Sequence, residues 1–136
     1  MTDEFPITIY HNPDCGTSRN ALAMIEAAGY APAVVEYRNV GWTRPLLDEL
    51  FAGMGTTPRD VLRENGTPAA DLGLLEKSVS DDAIAEAMVK HPILVNRPIV
   101  VTPNGTKLCR PSEVLLDLLD RKPGEFTKED GEVVRH

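Results

Sequence analysis

The residue best placed to do chemistry in this sequence is Cys15. It follows the turn-forming stretch His11-Asn12-Pro13-Asp14 and opens Cys15-Gly16-Thr17-Ser18, just ahead of a segment in which Ala21, Leu22, Met24, Ile25 and Ala28 recur at helical spacing. A cysteine at a helix start faces unsatisfied backbone N–H groups and the positive end of the dipole, which favour the nucleophilic thiolate. The alternative is a small buried side chain, the usual role of a lone cysteine. A Pro-Asp-Cys-Gly loop is poorly placed for core packing, so we read Cys15 as a nucleophile. Moving a free thiol from ~8.5 to about 6 takes roughly 3.4 kcal/mol, whereas a helix terminus supplies ~0.3–1 kcal/mol. The remainder must come from His11, Thr17, Ser18, Arg19 or arginines distant in sequence, the more so because Asp14 opposes ionisation if its carboxylate faces the sulfur. A loop histidine such as His11 is otherwise commonly just solvated.

Several chemistries are excluded by spacing. A Cys-x5-Arg anion loop needs an arginine where this chain has Ala21, and a Cys-x-x-Cys dithiol needs a second cysteine where it has Ser18. The other cysteine, Cys109, alternates with Leu108 in a predicted strand and reads as buried structure. With His11, His91 and His136 as the only histidines, no zinc-ligand spacing exists, so no metal is expected, and two cysteines exclude a disulfide scaffold.

The chain has 136 residues, 42% hydrophobic and 26% charged, which is the composition of one globular domain spanning 1–136. Fourteen Lys and Arg against 21 Asp and Glu leave a net charge of −7. Such a field repels a polyphosphate backbone, so nucleic acid is not expected as a partner. It also means that a small anionic ligand would need specific arginines gathered around it. The longest unbroken apolar run is Ala21 to Ile25, against about 20 residues for a membrane span, so no membrane association is expected. The acidic start Met1-Thr-Asp-Glu-Phe-Pro6 lacks the features of a signal peptide, and we expect a cytoplasmic protein.

The elements that must position Cys15 follow from patterning. Ile7–Tyr10 reads as a strand, the apolar stripe after Cys15 as a helix stopped by Gly29, and Ala33–Tyr37 as a second strand, a parallel crossover unit. From about 41 to 91 the pattern is helical: Thr43 caps one helix, Thr57-Pro58 opens another, and Ser80-Asp81-Asp82 a third. Ile93–Val95 and Ile99–Thr102 read as strand pieces, and Pro103-Asn104-Gly105-Thr106 as a hairpin turn before Lys107-Leu108-Cys109. A final helix is expected from Pro111, with Val114, Leu115, Leu118 and Leu119 on one stripe; the tail from Pro123 carries little periodicity. The order βαβ, helical insert, ββα predicts an α/β, thioredoxin-like fold: a mixed central sheet flanked by helices.

The motifs His11-Asn-Pro-Asp-Cys-Gly-Thr-Ser-Arg-Asn20, Arg59-Asp-Val-Leu-Arg63, His91-Pro-Ile-Leu-Val-Asn-Arg-Pro-Ile-Val-Val-Thr-Pro103 and Leu108-Cys-Arg-Pro-Ser-Glu113 closely resemble the glutathione- and glutaredoxin-coupled arsenate reductase family, from about Ile7 to Glu132. The resemblance implies the same thioredoxin-like fold with Cys15 as nucleophile, Arg63, Arg97 and Arg110 as the oxyanion-binding and thiolate-stabilising set, and His11 and Ser18 in thiolate activation. It further implies reduction of arsenate to arsenite through a cysteinyl arsenate, with glutathione as co-substrate, glutaredoxin as partner, and no bound cofactor or metal; separately, we expect a monomer. It places a cis proline at Pro98, facing the active cysteine. Arg19, Arg38, Arg44 and Arg59 are left as surface charges. The chain departs from the family at its short C-terminus, which ends in Arg135-His136. Two other readings of the same fold are an Spx-type regulatory binding module, which usually carries a Cys-x-x-Cys switch that Ser18 removes here, and a general glutathione-dependent thiol reductase. Both leave the three arginines unexplained.

Overall fold

The computed structural model describes residues 5–135; the acidic residues 1–4 and His136, which entered the reading above, lie outside them. The chain divides into two compact units: the described residues up to Glu36 together with those from Arg97 onward, and Tyr37–Asn96.

The first unit is built on a four-stranded sheet. Strand β1 (Thr8–His11) is followed by helix α1 (Gly16–Ala27) and β2 (Ala33–Glu36), and the chain returns later as β3 (Ile99–Thr102) and β4 (Gly105–Leu108). The strand order is β2-β1-β3-β4, with β1 and β2 parallel and the other pairs antiparallel. This mixed sheet with α1 as crossover is the thioredoxin-like arrangement that the sequence predicts. Strand alternation turns Ile9 and its partner Val100 to one face, where they are fully buried against Ala21, Met24 and Ile25 of α1. Cys109, Leu115, Leu118 and Val134 complete this core.

Three local expectations are corrected. The segment after Pro111 is a 3-10 helix, Ser112–Leu118. Three-residue spacing stacks Leu115 on Leu118 and Leu116 on Leu119, and the i→i+3 geometry turns these four buried leucines inward. Ile93–Val95, read as strand, is instead a 3-10 turn, Pro92–Leu94, from which Val95 makes a single bridge to Leu62. The helix expected at Thr57-Pro58 is also one 3-10 turn, Pro58–Val61, closed by a capping box in which Thr57 and Asp60 exchange side-chain and backbone bonds. The tail forms a small hairpin, β5 (Phe126–Thr127) with β6 (Val133–Val134).

The second unit is largely helical: the short α2 (Tyr37–Val40), α3 (Arg44–Met54) and α4 (Asp81–Lys90). Thr43 caps α3, whose C-terminus is closed by Gly55 in the left-handed region at φ 67°, and Ser80 caps α4. Leu47, Leu50, Phe51, Ile84 and Met88 are its buried helical residues, and Tyr37 stacks on Trp42 with ring centroids 5.1 Å apart. Arg44 bonds Asp48, Asp82 and Glu86 at 3.0, 2.8 and 2.7 Å, joining α3 to α4. Arg59, also read as a surface charge, donates to the carbonyls of Leu74, Glu76 and Val79, and so pins the loop before α4. No helix among the described residues is long and apolar enough to cross a membrane.

Ile25 is fully buried and Val40 is 70% exposed. Ile25→Ala should therefore destabilise the fold by about 2–5 kcal/mol through transfer and cavity terms, whereas Val40→Ala should change it by no more than about 0.5 kcal/mol. Urea midpoints at unchanged slope are the measurement.

Candidate active site

Cys15 is the N-cap of α1, in extended conformation at φ −104° and ψ 121°, and its side chain makes no capping bond to the helix. Its backbone N–H donates to the Asn12 carbonyl at 3.0 Å and its carbonyl accepts from Arg19 N–H at 2.9 Å, so the residue is fixed on both sides while the thiol is left for other partners. The sulfur is largely buried. Burial pushes its pKa up and is the largest single influence. Four others act against it: the backbone N–H of Ser18, the charge of Arg97, a hydrogen bond from Arg110, and the backbone N–H of Thr17. Together they outweigh burial and hold the Cys15 thiol below its ordinary range.

The two arginines arrive together because of the β3–β4 hairpin. Its register pairs Ile99 with Leu108; Cys109 N–H then bonds the Pro98 carbonyl at 2.8 Å, and one step further out Arg97 lies opposite Arg110. The Arg110 Nη1 atom donates both to Cys15 Sγ at 3.6 Å and to the Arg97 carbonyl at 3.0 Å. Both arginines precede cis prolines: the Arg97–Pro98 bond is cis as the resemblance implies, and Arg110–Pro111 is a second one. The hairpin turn was visible in the sequence, and counting outward from it would have paired these two residues.

His11 and Ser18 meet behind the loop. His11 Nδ1 and Ser18 Oγ are 2.6 Å apart, both residues being buried, and the same hydroxyl accepts from Asn12 N–H at 3.0 Å. Ser18 thus closes the 11–18 loop with its side chain, while its backbone N–H acts on the Cys15 thiol. The Ser112 hydroxyl, which donates to the Thr17 carbonyl at 3.1 Å, is a further support that sequence reading missed. Nothing in the local pattern marks that contact, because Ser112 belongs to an element almost a hundred positions away.

Arg63 and Cys109 each have surroundings of their own. Arg63 belongs to the other unit, where its Nε donates to the Asn65 carbonyl at 3.0 Å and its backbone N–H to the Leu94 carbonyl at 2.8 Å. Cys109 is fully buried in the apolar core, and burial pushes its thiol up to about 12. At neutral pH it is a protonated, inert side chain, buried as the sequence predicted although it lies one residue past β4 and not in the strand. Among the described residues, no group of three His, Cys, Asp or Glu side chains is gathered as a metal site would need.

The arrangement is a thiol whose ionisation two guanidinium groups favour, a chemistry suited to attack on an electrophilic centre that carries anionic oxygens. Iodoacetamide alkylation followed against pH should therefore be confined to Cys15 in the native protein, with Cys109 unmodified. Thiolate is lost as pH falls through the lowered pKa, so the midpoint should lie below that of free cysteine. Arg97→Ala and Arg110→Ala should each raise it. A wild-type midpoint equal to free cysteine would contradict the electrostatic account.

Comparison with known proteins agrees with this geometry. Residues 10–118 match the ArsC family. The chain is 64% identical to the arsenate reductase ArsI1 of Synechocystis sp., over 98% of this chain and 93% of that protein, and 54% identical to an arsenate reductase of Escherichia coli K12, over 94% and 92%. Among solved structures, the arsenate reductase from Vibrio cholerae superimposes with a TM-score of 0.81 at 36% identity, covering 86% of this chain and all of that one. With more than half of its length matched, its thioredoxin-like sheet and its cysteine at the head of α1, the chain belongs to the ArsC family.

Proposed function

We propose that this protein reduces arsenate to arsenite, taking electrons from glutathione and glutaredoxin through a covalent intermediate on Cys15. The observation that carries the reading is the Cys15 sulfur at the start of α1 with Arg110 Nη1 at 3.6 Å and the charge of Arg97 acting on it. The names of its relatives support the same substrate.

In this mechanism the Cys15 thiolate displaces one oxygen of As(V), which leaves as water after protonation, and the thioester-like arsenic adduct keeps its anionic oxygens against the guanidinium groups of Arg97 and Arg110. Arg63 is the third member of the proposed oxyanion set. A glutathione thiol then displaces a second oxygen, again as water, to give arsenic bonded to both sulfurs. A glutaredoxin thiolate attacks the glutathione sulfur; the As–S electron pair stays on arsenic, which becomes As(III), and the two donors leave as a mixed disulfide. Hydrolysis of the remaining As–S bond releases arsenite and regenerates the Cys15 thiol. Dividing the reduction into displacements at sulfur and arsenic removes the need for a resident redox group. Cys109, buried and protonated, takes no part.

The assay is NADPH-coupled turnover with arsenate, glutathione, glutaredoxin and glutathione reductase. Cys15→Ser should abolish activity without unfolding the protein, and Cys109→Ser should retain most of it if its core packing survives. Arg63→Ala, Arg97→Ala and Arg110→Ala should each lower kcat/KM by roughly 10- to 150-fold, the equivalent of about 1.5–3 kcal/mol for one charge-assisted contact. Arg→Lys should recover only part, because an ammonium loses the two-pronged fork. The exposed Lys90→Ala is the control, since Arg59 is a structural clamp in its own unit. Equal small losses at all the arginines, or full turnover without glutathione and glutaredoxin, would overturn the mechanism.

A further inference from the structure

The C-terminal hairpin reaches back to the loop that carries Cys15. Arg19 Nε and Nη2 donate to Glu129 Oε2 and Oε1 at 2.7 and 2.9 Å, a two-pronged pair, while Arg19 Nη1 donates to the Pro13 carbonyl at 2.7 Å. Glu129 is itself positioned, its backbone N–H donating to Asn20 Oδ1 at 3.0 Å. Its neighbour Lys128 is buried on Glu113 at 2.7 Å, which anchors the hairpin to the 3-10 helix of the core. The pair also overlies the residue after the nucleophile: a Cβ on Gly16 would stand 3.6 Å from Glu129 Oε1 and 3.7 Å from Arg19 Nη2. Arg19 therefore grips the loop two residues before Cys15 and covers it one residue after.

A guanidinium at a helix start is opposed by the dipole, so the carboxylate of Glu129 matters to where Arg19 can stay. Glu129 is the foremost group favouring the Arg19 charge, and Cys15 and Asp14 add to it, so the field of Arg19 reaches the sulfur. The ArsC match ends at residue 118, and Glu129 lies beyond it.

We propose that Glu129 and Arg19 are positioning residues for the Cys15 loop: Glu129 seats Arg19 on the Pro13 carbonyl and cancels its charge, so that the loop is held in shape while the cationic field at the sulfur is set by Arg97 and Arg110. This deepens the proposed arsenate chemistry and rests on it only for the turnover measurement below.

The charge states predict a cycle. In Glu129→Gln the Arg19 cation is uncompensated and the alkylation midpoint of Cys15 falls by a few tenths of a pH unit. In Arg19→Ala the Glu129 anion is uncompensated and the midpoint rises. In the double variant Arg19→Ala/Glu129→Ala both charges are gone and the midpoint lies below that of Arg19→Ala, with the salt dependence of wild type. These shifts shrink at high ionic strength, as they must for half-exposed charges, whereas a merely structural effect would not follow salt. Glu125→Gln removes the same charge from the same hairpin, where the partner is Arg135, and leaves the midpoint unchanged.

Arsenate turnover separates positioning from charge: Arg19→Ala and the double variant lose about tenfold in kcat with KM for arsenate changed far less, because the nucleophile is displaced while Arg97 and Arg110 remain. Arg19→Lys does not rescue kcat. Iodoacetamide reads the midpoints without arsenate, so a wild type that fails to reduce arsenate sinks the proposed function while the midpoint cycle still decides this one. Glu129→Gln keeps the side-chain shape and serves should Arg19→Ala unfold. Midpoints of Glu129→Gln and Arg19→Ala that coincide with wild type at low salt, or a kcat in Arg19→Ala equal to wild type, overturn the proposal.

Discussion

Charge on the Cys15 sulfur is favoured at a place where burial disfavours charge. Cys15 sits at the foot of α1 with little solvent around it, and burial is the strongest single influence on its ionisation. A helix start alone, at ~0.3–1 kcal/mol, does not balance that penalty. The fold supplies the rest from two directions. Two backbone N–H groups of the first turn, Thr17 and Ser18, contribute, as do two arginines that flank the β3–β4 hairpin. Each contribution is smaller than the effect of burial, and their sum outweighs it.

That requirement explains why the loop is so thoroughly held. Asn12 bonds Cys15 and Asp14, Ser18 bonds Asn12 and His11, and Ser112 bonds Thr17. An N–H stabilises a thiolate only while it points at the sulfur, so a mobile loop would forfeit two of the four favourable influences. The arginines are held likewise. Arg110 spends one nitrogen on both the Arg97 carbonyl and the sulfur, which ties the two cation-bearing segments together. In a chain with net charge −7, this local concentration of guanidinium is what the proposed oxyanion binding rests on.

The two cysteines show how far environment governs one side chain. Cys109 has no helix start and no arginine; surrounded by Ile, Leu and Met, it is pushed up to about 12, while Cys15 is held below its ordinary range. The arginines diverge in the same way. Arg97 and Arg110 act on the sulfur, Arg59 satisfies three carbonyls, Arg44 gathers three carboxylates, and Arg19 is paired with Glu129. Apart from the family resemblance and the hairpin register that pairs Arg97 with Arg110, the sequence offered no means to sort them, because nothing local distinguishes a guanidinium that binds carbonyls from one that faces a thiol.

What the sequence determined by itself was whatever depends on neighbours a few residues away. The strand before the loop, the apolar stripe of α1, the caps at Thr43, Thr57 and Ser80, the hairpin turn at Pro103-Asn104 and the place of Cys15 at the helix start were all legible, since period, cap and turn chemistry act over one or two turns. Short apolar runs were not. Ile93–Val95 and the segment after Pro111 became 3-10 helices because a stretch of three to seven residues with only three or four apolar side chains fits several backbones, and the one adopted is whichever turns those side chains into the available core. The tertiary structure alone decided which charges meet. The register that sets Arg97 beside Arg110, the seat of Ser112 on Thr17 and the return of Glu129 to Arg19 join segments far apart in sequence. Electrostatic and hydrogen-bonding energies follow distance through space, and that distance exists only after the sheet has closed.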